Sequence, residues 1–320
     1  MRVHTNPAGT LGCTITSFDA SAGRRDHLAK IKELVYEHKL VVLQGQELSE
    51  QQFCDLAGQL GDPVPYLQSN YHHPDYPLIF VSSNVKKDGK EFGVARTGGY
   101  WHSDTSFLAD PIPLTILYPR IVPSNTRRTT LFIDMQQAYR EMPEAMKQRI
   151  RGRSLVHSGK WRYKVRQQDV GMDLTEILAM IHQAQPPVIH PAVIRHPVTG
   201  ADVLYATRGF TIGVEGVGTD EGNELLAALF DFVEQQRFIT EFEWTLGDVI
   251  LWDNRFLAHK ARRLAIASAP GREAPAIEED TLVYRIIVRD GYPLSADASR
   301  GRASRAPARP CLTPENVQPC

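Results

Sequence analysis

The 320-residue chain lacks any imbalance of charge: 36 Lys and Arg stand against 37 Asp and Glu. No global field therefore draws a phosphate backbone or an anionic membrane, and nucleic acid and membrane fall away as partners. A local basic pocket is still allowed. Cysteine is scarce, with only Cys13, Cys54, Cys311 and Cys320, widely scattered and without a C-x-x-C pair. That excludes a zinc knuckle and a disulfide framework, and it suits four thiols in a reducing cytoplasm. No run reaches the roughly 18 apolar residues of a membrane span, and no basic start leads into an apolar stretch. The expectation is a soluble cytoplasmic protein. Internal repeats are absent as well. What is present is 42% apolar residues with 21 Pro and 23 Gly, an ordinary globular composition that disfavours disorder, collagen and coiled coil. The length allows one or two cores.

Leu28, Ile31, Leu34 and Val35 recur at helical spacing over residues 26–36, and the apolar run Leu40-Val41-Val42-Leu43 follows. A second helix is predicted from Ser49 to Leu60, with Ser49 as cap, Gln52 three residues on, and Phe53, Leu56, Ala57 and Leu60 on the apolar face. Further helices are predicted at 134–150, 173–185 and 221–236. Short strands are predicted at 78–82, 114–118, 129–133, 192–195, 203–207, 245–252 and 282–288. Many short strands with few helices between them point to an antiparallel sandwich or barrel, hence a β-rich α+β class, and away from a doubly wound parallel sheet. Residues 267–280 and 297–320 are rich in Ala, Pro, Ser, Arg and Glu and read as a surface loop and a flexible tail.

The most specific local feature is Gly98-Gly99-Tyr100-Trp101-His102-Ser103-Asp104. In an extended segment, residues two apart point to the same side, so the His102 imidazole and the Asp104 carboxylate can converge on one metal ion. The candidate for a second imidazole is His259, downstream of the apolar run Val249-Ile250-Leu251-Trp252 and the polar turn Asp253-Asn254-Arg255. Two His and one carboxylate on one face of a metal form the open triad of non-haem Fe(II) oxygenases. Taken alone, H-x-D is also the pattern of a core His beside a turn Asp. A basic anchor for a dicarboxylate is offered by Tyr284-Arg285-Ile286-Ile287-Val288-Arg289, because an Arg in an apolar strand is costly to bury without an anion. Arg285 and Arg289 are four apart and share a face, with a structural ion pair as the plain alternative for each.

These motifs, with Thr129-Thr130-Leu131-Phe132-Ile133-Asp134 and Trp252-Asp253-Asn254-Arg255, resemble the taurine dioxygenase (TauD/TfdA) superfamily of Fe(II)/2-oxoglutarate oxygenases, over about Leu40 to Pro293. The resemblance implies a double-stranded β-helix (jelly roll) with surrounding helices in a single domain, residues 1–296, ahead of the tail at 297–320. It implies Fe(II) on His102, Asp104 and His259, with 2-oxoglutarate and O2 as co-substrates. Thr130 and Arg285 match the residues that grip the distal carboxylate of 2-oxoglutarate, and Arg289 matches a substrate-binding Arg. Asp104 also argues against halide transfer, since relatives that transfer halide lack this carboxylate.

Within the superfamily, Val64-Pro65-Tyr66, Tyr71-His72-His73-Pro74, Phe80-Val81-Ser82-Ser83 and Lys164-Val165-Arg166 are similar to an isonitrile-forming branch. Its members convert an N-carboxymethyl-3-amino acid, free or derived from a fatty acyl chain, into an isonitrile with loss of CO2. That implies Tyr66, Tyr71, Lys164 and Arg166 at the substrate, and Lys164 and Arg166 would alternate onto one side of an extended segment to clamp an anion. Two positions depart from the branch: Leu67 stands where it has an aromatic, and Arg263 where it has a His. The connection from His259 to Arg285 is also longer. Three functions stay open: isonitrile formation from a small anionic amino or carboxylic acid, hydroxylation of an amino acid or small anion including taurine-like sulfonate cleavage, and metal or anion binding without turnover. Homo-oligomerisation is left open by the sequence.

Overall fold

In a computed structural model, residues 1–6, 11–22, 25–124, 126–265 and 279–294 are described. The expected tail at 297–320, most of the expected loop at 267–280 and the side chain of Arg263 lie outside them. An eight-stranded sheet runs in the order Arg2–Thr5, Cys13–Thr16, Leu40–Leu43, Val249–Asp253, Leu114–Ile121, Leu282–Arg289, Asp62–Val64, with Phe80–Ser83 also paired to Leu282–Arg289. A three-stranded sheet places Thr126–Asp134 between Ile239–Glu243 and Leu257–Ala265. Pairing is antiparallel throughout both sheets except between Cys13–Thr16 and Leu40–Leu43. The β-rich α+β expectation therefore agrees with the architecture.

Leu40–Leu43 shows why an unbroken apolar run suits this sheet. Side chains alternate across a strand, so Leu40 and Val42 join one core with Trp252 and Phe256, while Val41 and Leu43 join another with Ile31 and Phe53. Helices Arg25–His38 and Glu50–Leu60 supply the second core through the residues their periodicity marked. The first helix ends at Lys39, which takes a left-handed φ of 67° and donates its amide to Val35 O at 2.8 Å, a closure more often made by glycine. The second begins with the expected capping box: Ser49 Oγ accepts from the Gln52 amide, and Gln52 Oε1 accepts from the Ser49 amide.

Three expectations shift. The helix predicted at 134–150 is two, Met135–Glu141 and Glu144–Ile150, because Pro143 forces Met142 into an extended conformation. The strand predicted from Thr245 begins only at Val249, since Gly247 takes a φ of 84° within a turn closed by Asp248 N to Thr245 O. His259 lies on the strand Leu257–Ala265, whose sequence LAHKARRLA lacks clean alternation and gave no strand signal. That strand pairs with Thr126–Asp134 in a register that sets Ala261 opposite Thr130. Among the described residues no helix is long and apolar enough to cross a membrane, and Cys13 and Cys54 are free thiols.

Candidate active site

One cavity is walled by both sheets: Leu117 and Arg285 come from the larger, Arg128, Thr130, His259 and Ala261 from the smaller. His102 reaches it through an antiparallel bridge to His259, in which the His102 amide donates to His259 O at 3.0 Å and the His259 amide to His102 O at 2.7 Å. The two imidazoles are therefore fixed by backbone, with ring centroids 4.1 Å apart. Asp104 is not on an extended segment as expected. It opens a turn, and the next residue, Thr105, holds a φ of 58°, strained for a β-branched side chain. Ile112 N donates to Thr105 Oγ1 at 2.7 Å and Leu108 N to Thr105 O at 2.8 Å, which keeps the turn in place.

The ligand atoms of His102, Asp104 and His259 lie within 4.8 Å of one another, and all three residues are buried. His102 Nδ1 is 2.7 Å from Tyr100 O, so that nitrogen carries the proton and Nε2 is left as a lone-pair donor, 3.7 Å from Asp104 Oδ1. His259 Nε2 is 3.8 Å from Asp104 Oδ2, and its Nδ1 is buried without a hydrogen-bond partner. Burial pushes both imidazoles below their ordinary range in spite of Asp104. Burial by itself would raise the Asp104 carboxyl, but Arg285, the two imidazoles and the Thr115 hydroxyl outweigh it and hold it at about 2. Two neutral nitrogens and one ionised oxygen are a donor set that fits Fe(II) with adjacent positions left open.

Two side chains that carried no sequence-derived role hold this carboxylate. Thr115 Oγ1 donates to Asp104 Oδ2 at 2.8 Å and accepts from Asn254 Nδ2 at 2.8 Å. Asn254 Oδ1 accepts from the Trp252 indole at 2.9 Å and more weakly from the Asp104 amide at 3.4 Å. A lone Thr in an apolar strand and a buried Asn within W-D-N-R were the available signals.

Arg285 donates from Nη1 to Asp104 Oδ1, lies over the Phe80 ring at 4.0 Å, and has a buried Nε without a partner. Thr130 Oγ1 accepts from the Trp244 indole at 2.8 Å, so its own proton is directed to another acceptor. Both line the cavity beside the triad, as do Tyr66 and Tyr71, which pack with Phe80 as an aromatic cluster. Arg128, Arg96 and Arg162 also line it and were not anticipated; Arg128 sits two residues before Thr130 on the same strand, so the alternation of that strand could have found it.

The expected clamp of Lys164 and Arg166 does not form. Residues 160–162 and 167–169 are tight 3-10 turns on either side of the pair, and the second of them brings Asp169 back to Arg166. Lys164 lines the cavity with its ammonium on the carbonyls of Ala95 and Arg96, whereas Arg166 is turned onto Asp169, 3.3 Å from Oδ1. Arg289 is also outside the cavity wall: its side chain is 44% exposed and faces Asp110 at 3.4 Å and Asp62 at 3.9 Å. Its carboxylate neighbours lie on the surface and draw it there.

Residues 7–274 match the family described as Taurine catabolism dioxygenase TauD, TfdA family. The chain belongs to the TauD/TfdA family. It is 29% identical over 253 residues, 75% of this chain and 84% of the other, to an alpha-ketoglutarate-dependent 2,4-dichlorophenoxyacetate dioxygenase of Cupriavidus pinatubonensis. It is 27% identical over 259 residues, 79% of this chain and 77% of the other, to an alkylsulfatase of Acinetobacter baylyi. The crystal structure of a protein described as a putative alpha-ketoglutarate-dependent taurine dioxygenase from Burkholderia xenovorans superposes with a TM-score of 0.69, covering 91% of this chain and 90% of that one at 21% identity. As a TauD/TfdA protein the chain is a dioxygenase dependent on 2-oxoglutarate, with Fe(II) as its metal and O2 as the second co-substrate.

Proposed function

We propose that this TauD/TfdA enzyme, built as a double-stranded β-helix, oxidises a small substrate bearing one or more carboxylates, with an N-carboxymethyl-3-amino acid or its fatty acid form as substrate and an isonitrile as product. The observation that carries the reading is the cationic wall of the cavity. Arg285 and Thr130 suffice for the distal carboxylate of 2-oxoglutarate, and Arg96, Arg128, Arg162 and Lys164 add more positive charge than that one anion needs. His102, Asp104 and His259 would hold Fe(II), which supplies the O2-activating oxidation when bound. The residues of the chain position the reacting group: the Thr115 and Asn254 network fixes the carboxylate ligand, the His102–His259 bridge fixes the imidazoles, and Tyr66, Tyr71 and Phe80 exclude water on one side.

Converting an N-carboxymethyl amine to an isonitrile and CO2 removes four electrons, so each substrate consumes two 2-oxoglutarate and two O2. Counting succinate formed per substrate consumed tests this directly, with two expected and one overturning it. The placement of Arg166 outside the cavity favours a second reading, single-round hydroxylation of a simpler anion, whereas that of Arg289 removes the arginine expected at a taurine-like substrate. Of the relatives named above, one is a phenoxyacetate dioxygenase and one an alkylsulfatase. Mass spectrometry of the products from N-carboxymethyl-3-amino acids, sulfonates and amino acids separates the two.

A further inference from the structure

Five cations wall the main cavity, Arg96, Arg128, Arg162, Lys164 and Arg285, against one carboxylate among the described residues, Asp104. Arg285 is committed to Asp104 and the Lys164 ammonium to the carbonyls of Ala95 and Arg96, while Arg96 and Arg128 are engaged with other groups of the chain. Arg162 is different. Its side chain makes one hydrogen bond, from Nε to Gly209 O at 3.2 Å, and no carboxylate among the described residues lies within ion-pair distance of it. The four N–H bonds of its two Nη atoms stay unspent. An exposed arginine, which Arg162 is, is ordinarily a mobile solvated charge. This one is held: its guanidinium carbon lies 4.2 Å from the centre of the Tyr100 ring, and the bond to Gly209 fixes the fork from the other end.

Tyr100 is confined in turn. Its ring meets Phe210 edge-on at 5.8 Å and lies 4.9 Å from the His102 ring, and Gly209 passes so close that a Cβ there would come within 2.6 Å of it. Tyr100 lines the cavity, and its hydroxyl has no hydrogen-bond partner among the described residues. Guanidinium and phenol thus make one fixed set of donors without an acceptor. The cavity has two cationic ends, one on Asp104 and one joined through Tyr100 to His102.

We propose that Arg162 and Tyr100 anchor the substrate's own carboxylate, and so select an acid over its neutral counterpart, while Arg285 and Thr130 serve 2-oxoglutarate. This rests on the main cavity being the substrate site. A stacked guanidinium presents its edge, and that planar fork matches a carboxylate. In an N-carboxymethyl-3-amino acid the carbon to be oxidised belongs to the N-carboxymethyl group and has to lie at the metal. The carboxylate on the anchor, one ring away from His102, is then that of the 3-amino acid, which the product retains.

The test is calorimetric binding to the whole protein loaded with Mn(II) and 2-oxoglutarate. The probes are two acids, N-carboxymethyl-3-aminobutanoate and phenoxyacetate, and the amides that replace the anchored carboxylate, N-carboxymethyl-3-aminobutanamide and phenoxyacetamide. Arg162→Gln should weaken both acids about tenfold, the scale of a charge-assisted hydrogen bond, and leave the amides as they were. Arg162→Lys should recover only part of the loss, since an ammonium lacks the fork. Tyr100→Phe keeps the ring under Arg162 and removes only the hydroxyl, and the acids should weaken about threefold. The affinity of Arg162→Gln for Mn(II) and for 2-oxoglutarate should be unchanged, which also shows that the variant is folded. Equal weakening of acids and amides, or a matching fall in 2-oxoglutarate affinity, overturns the anchor, as does failure of both acids to bind the unsubstituted protein. Both acids bound and unmoved by Arg162→Gln overturns the anchor and leaves the N-carboxymethyl reading standing. Binding and loss confined to phenoxyacetate keeps the anchor and overturns that reading.

Discussion

The guanidinium of Arg285 lies on Asp104, Nη1 to Oδ1 at 2.7 Å, although the residues are 181 apart in sequence. The cation assigned to the co-substrate thus also touches the carboxylate assigned to the metal, and it is the main influence holding that carboxyl down. On the proposed assignment, charge for binding a dicarboxylate and charge for ionising the metal ligand would be supplied by one side chain.

Arg285→Lys is expected to weaken 2-oxoglutarate binding by at least about 30-fold, because a point charge cannot reproduce the planar fork and a desolvated charge pair is worth several kcal/mol. Calorimetric titration of 2-oxoglutarate into Mn(II)-loaded protein reads this. Unchanged affinity would remove Arg285 from the co-substrate site.

Thr115→Val keeps the shape of the strand but deletes both the donor to Asp104 and the acceptor for Asn254. Metal affinity should fall roughly 10- to 100-fold, the usual scale for groups that orient metal ligands. Thr115→Ser should restore it, which separates orientation from packing; a metal titration of the three proteins decides.

Gly209 donates its amide to Trp101 O at 2.9 Å, and a Cβ on it would come within 2.6 Å of that same oxygen and of the Tyr100 ring. Gly209→Ala should therefore displace the segment that carries His102 and Asp104. Loss of metal binding by more than about tenfold is expected, together with a lowered Tm; a variant that binds metal normally would show that this contact is not needed.

Acid stability should depend on Asp253. Its buried carboxylate meets Arg255 Nη2 at 2.6 Å and His196 Nε2 at 3.0 Å. Burial alone would raise this carboxyl, but Arg255 and His196 hold it at about 2. Its folded value is below the ordinary value of about 3.9, so the unfolded chain takes up the proton first. The stabilisation, about 2 kcal/mol, is complete above pH 4 and is lost as pH falls toward 2. Urea unfolding across this range should show the decline. Asp253→Asn should be destabilised by about 3 kcal/mol or more at neutral pH, since Arg255 loses a buried partner, and its stability should vary less with pH in acid.

The chemistry was more legible in the sequence than its supports. His102, Asp104 and His259 stand out because imidazole nitrogen and carboxylate oxygen together make a metal donor set, and they do come together, while Thr130, Arg285, Tyr66 and Tyr71 line the same cavity. Arg166 and Arg289 did not, because a charge goes to the nearest carboxylate, Asp169 for one and Asp110 with Asp62 for the other, and sequence spacing does not report such neighbours. Helix faces such as Leu28, Ile31, Leu34 and Val35 were readable from their period. The strand Leu257–Ala265 was not, since its pairing with Thr126–Asp134 rests on backbone bonds between segments distant in the chain.

The reciprocal backbone bonds between His102 and His259 also have a consequence for biosynthesis. A ribosome delivers the first imidazole and the carboxylate long before the second imidazole, and the strand that bears the latter has to settle on its neighbour before the two rings face each other. Contacts of such long range form slowly. On the proposed ligand assignment, the nascent chain would lack a complete metal site until the strand Leu257–Ala265 has paired with Thr126–Asp134.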